Sequence, residues 1–239
     1  MLKDGKVKVS FNSGRIATFA PTIALMNCLL LSATAKEIKP FLDFYRNNDN
    51  KPDVDILITG IGLTAATYVL TKQISLKKPG LIIQAGVAGC FDKNISLASV
   101  VVVKQETVAD LSVIENKRLK TMFDLKLIAL NQSPYRKGWM INPNYRLVKR
   151  TGLKEAVAIS VNHVTTSKQM ITFYRKKFHP VIESMEGAAL HYVCIKEKIP
   201  FLQIRGVSNY IGERDKKKWK MKEAISNLNK ELIGFLNKL

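Results

Sequence analysis

Residues 185–209 read MEGAALHYVCIKEKIPFLQIRGVSN, and this stretch decides the fold class. Met185–Lys198 has a helical pattern. Phe201–Val207 then combines apolar and β-branched residues with one arginine, which is typical of a buried strand. This strand leads into Ser208 and Asn209, and a buried strand that ends in small polar side chains often directs them into a ligand site. The stretch therefore predicts a helix that feeds a buried strand, with a site at the strand's end.

Short apolar runs alternate with helical patterns along the rest of the chain. Further strands are predicted at Val54–Thr59, Gly80–Gly89, Leu97–Glu106 and Ala156–Asn162. A C-terminal helix is predicted from apolar residues spaced three or four apart, which are Met221, Ile225, Leu228, Leu232, Phe235 and Leu239. Strands that alternate with helices indicate a largely parallel sheet covered on both sides. The polar segment 116–152 fits least and is interpreted as an excursion at the sheet edge or over the site.

The positive charge of the chain permits, but does not establish, a nucleic-acid-binding function. The 239 residues carry a net charge of +19 and are 46% hydrophobic, which is enough for a sizeable core. The lysines are scattered, and no helix-turn-helix, zinc-finger or RNP-type motif accompanies them. We interpret the charge as a solvated lysine-rich surface, and no specific nucleic acid is expected. Some of it can also favour a small anionic substrate.

Cysteine and histidine usage argues against a disulfide scaffold and a structural zinc site. The three cysteines are widely spaced, there are only three histidines, and neither CxxC nor HExxH occurs. We expect Cys28, Cys90 and Cys194 to be reduced and mostly buried thiols in a cytoplasmic protein.

The N-terminal region has two interpretations. Residues 16–35 contain no charge and follow several basic residues, which is the outline of a signal peptide or membrane anchor. However, Pro21 dilutes this pattern, and the residues from Met26 onward predict a strand that leads directly into a helix at Ala35–Asn47. We therefore interpret 1–25 as a poorly ordered extension or an upstream start, and 26–239 as the folded domain, with no membrane association.

The Gly60-Ile61-Gly62 turn invites a dinucleotide-binding interpretation, but the signal is weak. Ala65 occupies the position of the third glycine, and no acid follows about 20 residues later to bind a ribose hydroxyl. These glycines are instead expected to let the backbone pass close to another strand or to a ligand.

Four places on the chain converge on one end of the predicted sheet. They are Glu37 after the first strand, the turn 86–89, the pair Met185 and Glu186 before a helix, and the pair Ser208 and Asn209. Taken singly each is ordinary, since a glutamate often just begins a helix and an asparagine often just makes a turn. Together they predict a site at the carboxyl ends of the strands.

These places resemble the nucleoside phosphorylase superfamily, and within it the hydrolytic branch that includes methylthioadenosine/S-adenosylhomocysteine nucleosidase. The resemblance covers about 26–239 and is carried by the strings TGIG, QAGVAG, MEGAA and IRGVSN. It implies one α/β domain with the three-layer α/β/α nucleoside phosphorylase-like fold and a central mixed, largely parallel sheet. It also implies a homodimer or higher homo-oligomer, a nucleoside substrate with water as co-substrate, and neither metal nor organic cofactor.

The resemblance also implies a role for each matching residue. Glu37 matches the water-activating glutamate, Glu186 the glutamate that holds the ribose hydroxyls, and Met185 the side chain packed against the sugar. Asn209 falls on the position that contacts N7 of the purine. The residues that match the base-binding pocket wall are Gly86, Val87, Ala88, Gly89 and Ser208.

Asn209 departs from the adenine-cleaving relatives, which carry an aspartic acid there. A neutral amide cannot protonate N7, but it donates and accepts hydrogen bonds. It therefore suits a 6-oxopurine, whose O6 accepts a hydrogen bond while N7–H donates one. Hydrolysis is favoured over phosphorolysis for two reasons. The phosphorylases of the superfamily hold phosphate with an arginine-bearing glycine loop, which the sequence around Glu37 does not contain. The Glu37 carboxylate would also repel phosphate.

The strings SNYIGERDKKKW and ADLSV are similar in particular to the futalosine hydrolases, which cleave hypoxanthine from futalosine in menaquinone biosynthesis. Futalosine carries a benzoate, and Arg214 is the candidate contact for it. The alternative for Arg214 is an ion pair with Glu213, Asp215 or another carboxylate. A nucleosidase acting on methylthioadenosine, S-adenosylhomocysteine or inosine is the rival interpretation, and a basic nucleic-acid-binding protein is a further one.

Overall fold

The computed structural model describes residues 27–49 and 51–239. The interpretation of 1–25 as an extension therefore lies outside the described residues. The strands are β1 Cys28–Ser32, β2 Val54–Ile58, β3 Leu81–Cys90, β4 Val100–Val108, β5 Ser112–Glu115, β6 Arg118–Thr121, β7 Met140–Ile141, β8 Lys154–Ser160, β9 Ile182–Ser184 and β10 Phe201–Tyr210. The helices are α1 Lys39–Asn47, α2 Leu63–Leu76, α3 Tyr145–Arg150, α4 Lys168–Phe178, α5 Gly187–Glu197 and α6 Met221–Leu236.

The central sheet is mixed, and part of it closes on itself. Strand β3 pairs in parallel with β1 and β10 and antiparallel with β9. Strand β10 pairs antiparallel with β4, β4 pairs in parallel with β8, and β8 pairs in parallel with β9. These pairings form a closed ring of strands β3, β10, β4, β8 and β9, and β1 and β2 extend the sheet outward from β3.

Strand β1 shows why helices cover both faces of this sheet. Its residues are all buried, and successive side chains point to opposite faces. Leu30 belongs to a cluster with Phe41 of α1 and Leu228 of α6, whereas Leu31 belongs to another with Leu70 of α2 and further residues of α5. The predicted α/β class, with helices packed around a central mixed sheet, is confirmed.

Two predicted boundaries were wrong, and both lie beside the site. The first helix begins at Lys39 rather than near residue 35, because Glu37 turns back to accept a hydrogen bond from the Thr34 N–H (3.1 Å) and Pro40 suits a first helical turn. Strand β10 continues past Val207 to Tyr210 through a bulge that keeps it paired with β3.

The segment 116–152 contains β6, β7 and α3. Strand β7 pairs with β4, whereas β6 forms a separate two-stranded sheet with β5. Within the described residues, no helix is both long and apolar enough to cross a bilayer.

Candidate active site

A pocket of about 550 Å³ lies where the carboxyl ends of β1, β3, β9 and β10 meet. It contains every site residue predicted from the sequence except Gly86. Those that line it are Glu37, Val87, Ala88, Gly89, Met185, Glu186, Ser208, Asn209 and Arg214. No residue of 116–152 contributes to this lining, so the interpretation of that segment as a cover over the site gains no support.

The Glu37 carboxylate is fixed in the turn between β1 and α1. Its Oε2 accepts hydrogen bonds from the Thr34 N–H (3.1 Å), the Thr34 hydroxyl (3.0 Å) and the Ser32 hydroxyl (3.4 Å). Its Oε1 accepts only the Val87 N–H (3.0 Å) among the described residues. Because a carboxylate oxygen can accept more than one hydrogen bond, Oε1 retains capacity for a water molecule.

Helix α6 holds the backbone of the same turn, a contribution that sequence reasoning missed. Asn229 is 1% exposed, and its Nδ2 donates to the Glu37 carbonyl (2.9 Å) while its Oδ1 accepts from the Phe41 N–H (3.0 Å). One buried amide thus ties α6 to both sides of the turn that carries Glu37.

Arg205 on β10 lies beside Glu186 and was also missed. Its side chain is 1% exposed; Nη2 donates to Gln84 Oε1 (2.8 Å), and Nη1 lies 3.9 Å from Glu186 Oε2. Gly86 lies beneath the pocket, and a Cβ there would collide with Nη1 and approach Glu37 Oε1 to 2.9 Å. A glycine at position 86 is therefore what leaves room for both the Arg205 guanidinium and the Glu37 carboxylate.

Glu186 immediately precedes α5 and is 5% exposed. Its Oε1 accepts a hydrogen bond from the Gly62 N–H (3.0 Å), and Gly62 has a φ of +91°, a conformation that favours glycine. The Gly60-Ile61-Gly62 turn thus brings a backbone N–H to the Glu186 side chain, and its predicted approach to a strand or a ligand stays a prediction. Oε2 accepts no hydrogen bond in the described part of the chain, and Glu186 lines the pocket together with Met185.

Asn209 projects from the bulged end of β10 beside Gly89. Its Oδ1 accepts from the Ser208 hydroxyl (2.8 Å), and its Nδ2 donates to the Tyr210 carbonyl (3.1 Å). An amide has two N–H donors and two acceptor lone pairs, so one of each remains for a ligand.

Arg214 does not form the ion pair that was its alternative interpretation. Glu213 pairs instead with Lys218 (3.0 Å), and the Arg214 guanidinium lies 5.7 Å from the centre of the Trp219 ring. Arg214, Trp219 and Lys36 all line the pocket. Within residues 27–49 and 51–239, neither Lys36 nor Arg214 is paired with a carboxylate.

A buried polar cluster supports the beginning of α5 beneath the pocket. Glu106 on β4 accepts from the Gln203 amide (3.1 Å), and both side chains touch Gly187 so closely that a Cβ there would collide with them. Burial raises the pKa of Glu106 to about 8. Burial likewise lowers the pKa of His191 to about 4, and its Nδ1–H donates to the Met140 carbonyl (2.9 Å).

Comparison with known proteins places the chain in a family. The family model described as "Phosphorylase superfamily" matches residues 12–237. The chain belongs to this superfamily. Within the described residues, no three His, Cys, Asp or Glu side chains lie together as metal ligands would.

The chain is similar to relatives of two kinds. A futalosine hydrolase of Thermus thermophilus is 29% identical over 174 residues, which are 72% of this chain and 76% of that protein. A 5'-methylthioadenosine/S-adenosylhomocysteine nucleosidase of Haemophilus ducreyi is 27% identical over 207 residues, which are 82% of this chain and 84% of that protein.

Solved structures in the superfamily have the same fold. The native futalosine hydrolase of Helicobacter pylori strain 26695 matches with a TM-score of 0.73 at 21% identity, covering 91% of this chain and 100% of that one. The 5'-methylthioadenosine/S-adenosylhomocysteine nucleosidase of Helicobacter pylori matches with a TM-score of 0.74 at 20% identity, covering 90% of this chain and 100% of that one. Both groups are nucleosidases, and they match this chain about equally well.

Proposed function

We propose that this protein is a purine nucleosidase that hydrolyses the N-glycosidic bond of futalosine, releasing hypoxanthine and dehypoxanthine futalosine for menaquinone biosynthesis. The observation that carries the choice of base is the Asn209 amide, which lines the pocket with one N–H and one lone pair unused. Two carboxylates held in the same pocket, and relatives that are nucleosidases, support the reaction class.

Glu37 is the proposed general base. Its four protein donors hold the carboxylate in one orientation, and the remaining capacity of Oε1 points to a bound water. As the glycosidic bond stretches toward an oxocarbenium-like state, this water attacks C1′ and Glu37 takes its proton. A phosphate dianion at the same place would be repelled, so water is the proposed co-substrate.

Glu186 is proposed to bind the ribose hydroxyls through Oε2, with Met185 packed against the sugar. The Gly62 N–H fixes the other oxygen of this carboxylate, and Arg205 offsets the negative charge of Glu186. We regard Arg205 as a positioning residue, because its contacts are to protein groups. It helps to hold the Glu186 carboxylate in place for the ribose.

Asn209 is proposed to stabilise the leaving purine. Its free N–H donates to O6 as negative charge moves into the ring, and solvent supplies the proton that N7 of the departing hypoxanthine takes up. Its free lone pair then accepts this N7–H, and the proton that Glu37 took from the attacking water returns to solvent. The backbone of Val87, Ala88 and Gly89 and the Ser208 hydroxyl complete the base-binding wall.

The benzoate of futalosine is proposed to lie against Arg214, Trp219 and Lys36. An arginine over an aromatic ring presents a flat cation to a carboxylate, and no acid of the described chain neutralises it. We also propose a cytoplasmic enzyme that acts as a homodimer or larger homo-oligomer, with no membrane or specific nucleic-acid partner. The exposed Ile61 (63%) and Val164 (42%) at the pocket lining suit contact with a second copy.

A methylthioadenosine/S-adenosylhomocysteine nucleosidase is the second candidate, favoured by the comparable similarity of those relatives. The deciding experiment incubates the purified full chain with futalosine, inosine and methylthioadenosine in phosphate-free buffer and follows free bases by chromatography. We expect hypoxanthine from futalosine. If adenine is released from methylthioadenosine and no base from the other two nucleosides, futalosine is not the substrate. If no nucleoside releases a base, the protein is not a nucleosidase.

A further inference from the structure

Glu183 is a carboxylate of the pocket to which the mechanism above gives no task. It lies on β9, is 5% exposed and lines the pocket. Its Oε1 accepts a hydrogen bond from the Thr165 N–H (3.0 Å), but Oε2 is buried and has no partner among the described residues. A buried acceptor without a donor is costly, so this oxygen requires a donor from outside the described chain.

The sheet register places Glu183 opposite Asn209. Gly89 on β3 pairs with Glu183 on one side and with Asn209 on the other. Residues paired directly across neighbouring strands project from the same face, and two strand spacings separate their Cα atoms by roughly 10 Å. The Ile211 side chain covers Gly89, because a Cβ there would come within 2.5 Å of Ile211 Cδ1. The two polar groups and the apolar Ile211 line the same pocket, so a flat ring packed on Ile211 can reach both groups.

The chemistry of the two groups selects the edge that such a ring presents. Asn209 offers a donor beside an acceptor, whereas an ionised Glu183 offers only an acceptor. A 6-oxopurine carries an acceptor at O6 next to a donor at N1–H. Adenine carries the reverse, a donor at the 6-amino group and an acceptor at N1.

We propose that Glu183 is a second base-recognition residue, whose Oε2 accepts the N1–H of a 6-oxopurine while Asn209 bonds O6 and N7. This inference rests on the proposed purine nucleosidase function and adds a specificity determinant to it.

The groups around Glu183 act on its pKa in both directions, with a net rise. Burial raises the pKa of Glu183, and the nearby Asp110 raises it further, while the hydrogen bonds from Thr165 and the charge of His163 lower it. Tyr174 also lies within electrostatic reach. An N1–H donor at Oε2 favours the ionised form, whereas adenine would favour the protonated form of the same group.

The first test needs no variant. Binding of free hypoxanthine, 1-methylhypoxanthine and adenine to the full chain is measured by titration calorimetry. Hypoxanthine is expected to bind at least ~10-fold more tightly than 1-methylhypoxanthine, which lacks the N1–H. Equal binding of these two bases, or a preference for adenine, would overturn the proposal, and no binding of any base would overturn the proposed function as well.

The second test changes Glu183→Gln. The Thr165 N–H needs an acceptor, so the glutamine oxygen is expected in the place of Oε1 and the glutamine NH₂ in the place of Oε2. The variant is expected to lose the ~10-fold preference for hypoxanthine and to gain affinity for adenine. Glu115→Gln, an exposed glutamate on β5, is the matched control and should bind as the wild type does.

The outcomes separate the two proposals. An unchanged preference for hypoxanthine in a folded Glu183→Gln protein would overturn the role of Glu183 and leave futalosine hydrolysis intact. Conversely, a chain that distinguishes hypoxanthine from 1-methylhypoxanthine through Glu183, yet does not cleave futalosine, would retain the inference and lose the proposed substrate. If the glutamine variant does not fold, the wild-type comparison of the two bases still decides.

Discussion

Glu37 is the residue on which the proposed hydrolysis depends most directly. In Glu37→Gln the shape of the side chain is kept while its basicity is lost, so turnover of futalosine should fall by roughly 10²-fold or more with substrate binding largely retained. Rates of hypoxanthine release and calorimetric binding measure the two effects separately. Glu115→Gln serves as the control, and unchanged turnover in Glu37→Gln would remove the general-base role.

Asn209 is the residue on which the proposed preference for hypoxanthine over adenine depends. In Asn209→Asp the side chain can bring a proton to N7, so the ratio of kcat/KM for methylthioadenosine to that for futalosine should rise by ~10-fold or more. The Ser208 hydroxyl can still donate to the new carboxylate, which keeps the side chain in place. A ratio equal to that of the wild type would contradict the base-recognition argument.

Residue types at strand ends could be predicted from the sequence, but their partners could not. Glu37, Glu186 and Asn209 follow or precede apolar runs, and the structure brings them to one pocket. Arg205 gave a visible signal as the one charge in an apolar strand, yet its place depends on Gly86 of another strand. Glu183 gave no signal, because its position opposite Asn209 follows from the register of β9 with β3.

At the scale of single elements, β3 leaves no room for a side chain at Gly86. An added methyl group in Gly86→Ala would displace the Arg205 guanidinium, and misplacement of groups at a site can cost ~10²-fold in rate. Gly234→Ala is the matched control, since Gly234 lies inside α6 with no atom within 4 Å of an added Cβ. It should keep full activity and gain up to about 1 kcal/mol in stability. Steady-state rates and thermal unfolding compare the two variants, and full activity in Gly86→Ala would contradict the role given to Arg205.

The predicted elements were correct where one pattern dominated and wrong where local hydrogen bonds competed with it. The apolar face of α6 appeared in the sequence because its spacing is regular, and Leu228, Leu232 and Phe235 are buried. The beginning of α1 was placed too early, because the bonds between Thr34 and Glu37 replace a helical turn. The spacing of apolar residues carries no information about such side-chain hydrogen bonds.

For the whole molecule, Glu106 should give stability an unusual pH dependence. Its raised pKa of about 8 means that the folded state retains a proton which the unfolded state releases near 4.5, so the free energy of unfolding decreases as pH rises from about 4.5 to 8. His191, with its pKa lowered to about 4, acts in the opposite direction only below about 6.5. Urea unfolding at pH 6.5 and 8 avoids the titration of His191, and a Glu106→Gln variant separates Glu106 from Glu183, whose pKa burial also raises.

Relative to Glu106→Gln, the wild type should lose up to about 1.4 kcal/mol per pH unit across this interval. The glutamine variant should remain folded, because the Gln203 amide can turn to present its oxygen to the new NH₂. Parallel pH profiles for the two proteins would show that Glu106 is ionised in the folded state.

The closed ring of strands divides the pocket into two regions that differ in how readily they open. Amides of β3 and β10 belong to one continuous ladder, so their protons should exchange with solvent only when the whole domain unfolds. The turn that carries Glu37 is held mainly by side-chain bonds and by Asn229, so it should exchange through small local openings. The purine would thus bind against strands that open only when the whole domain unfolds. Glu37, which activates the water, lies on a turn that can open locally between turnovers.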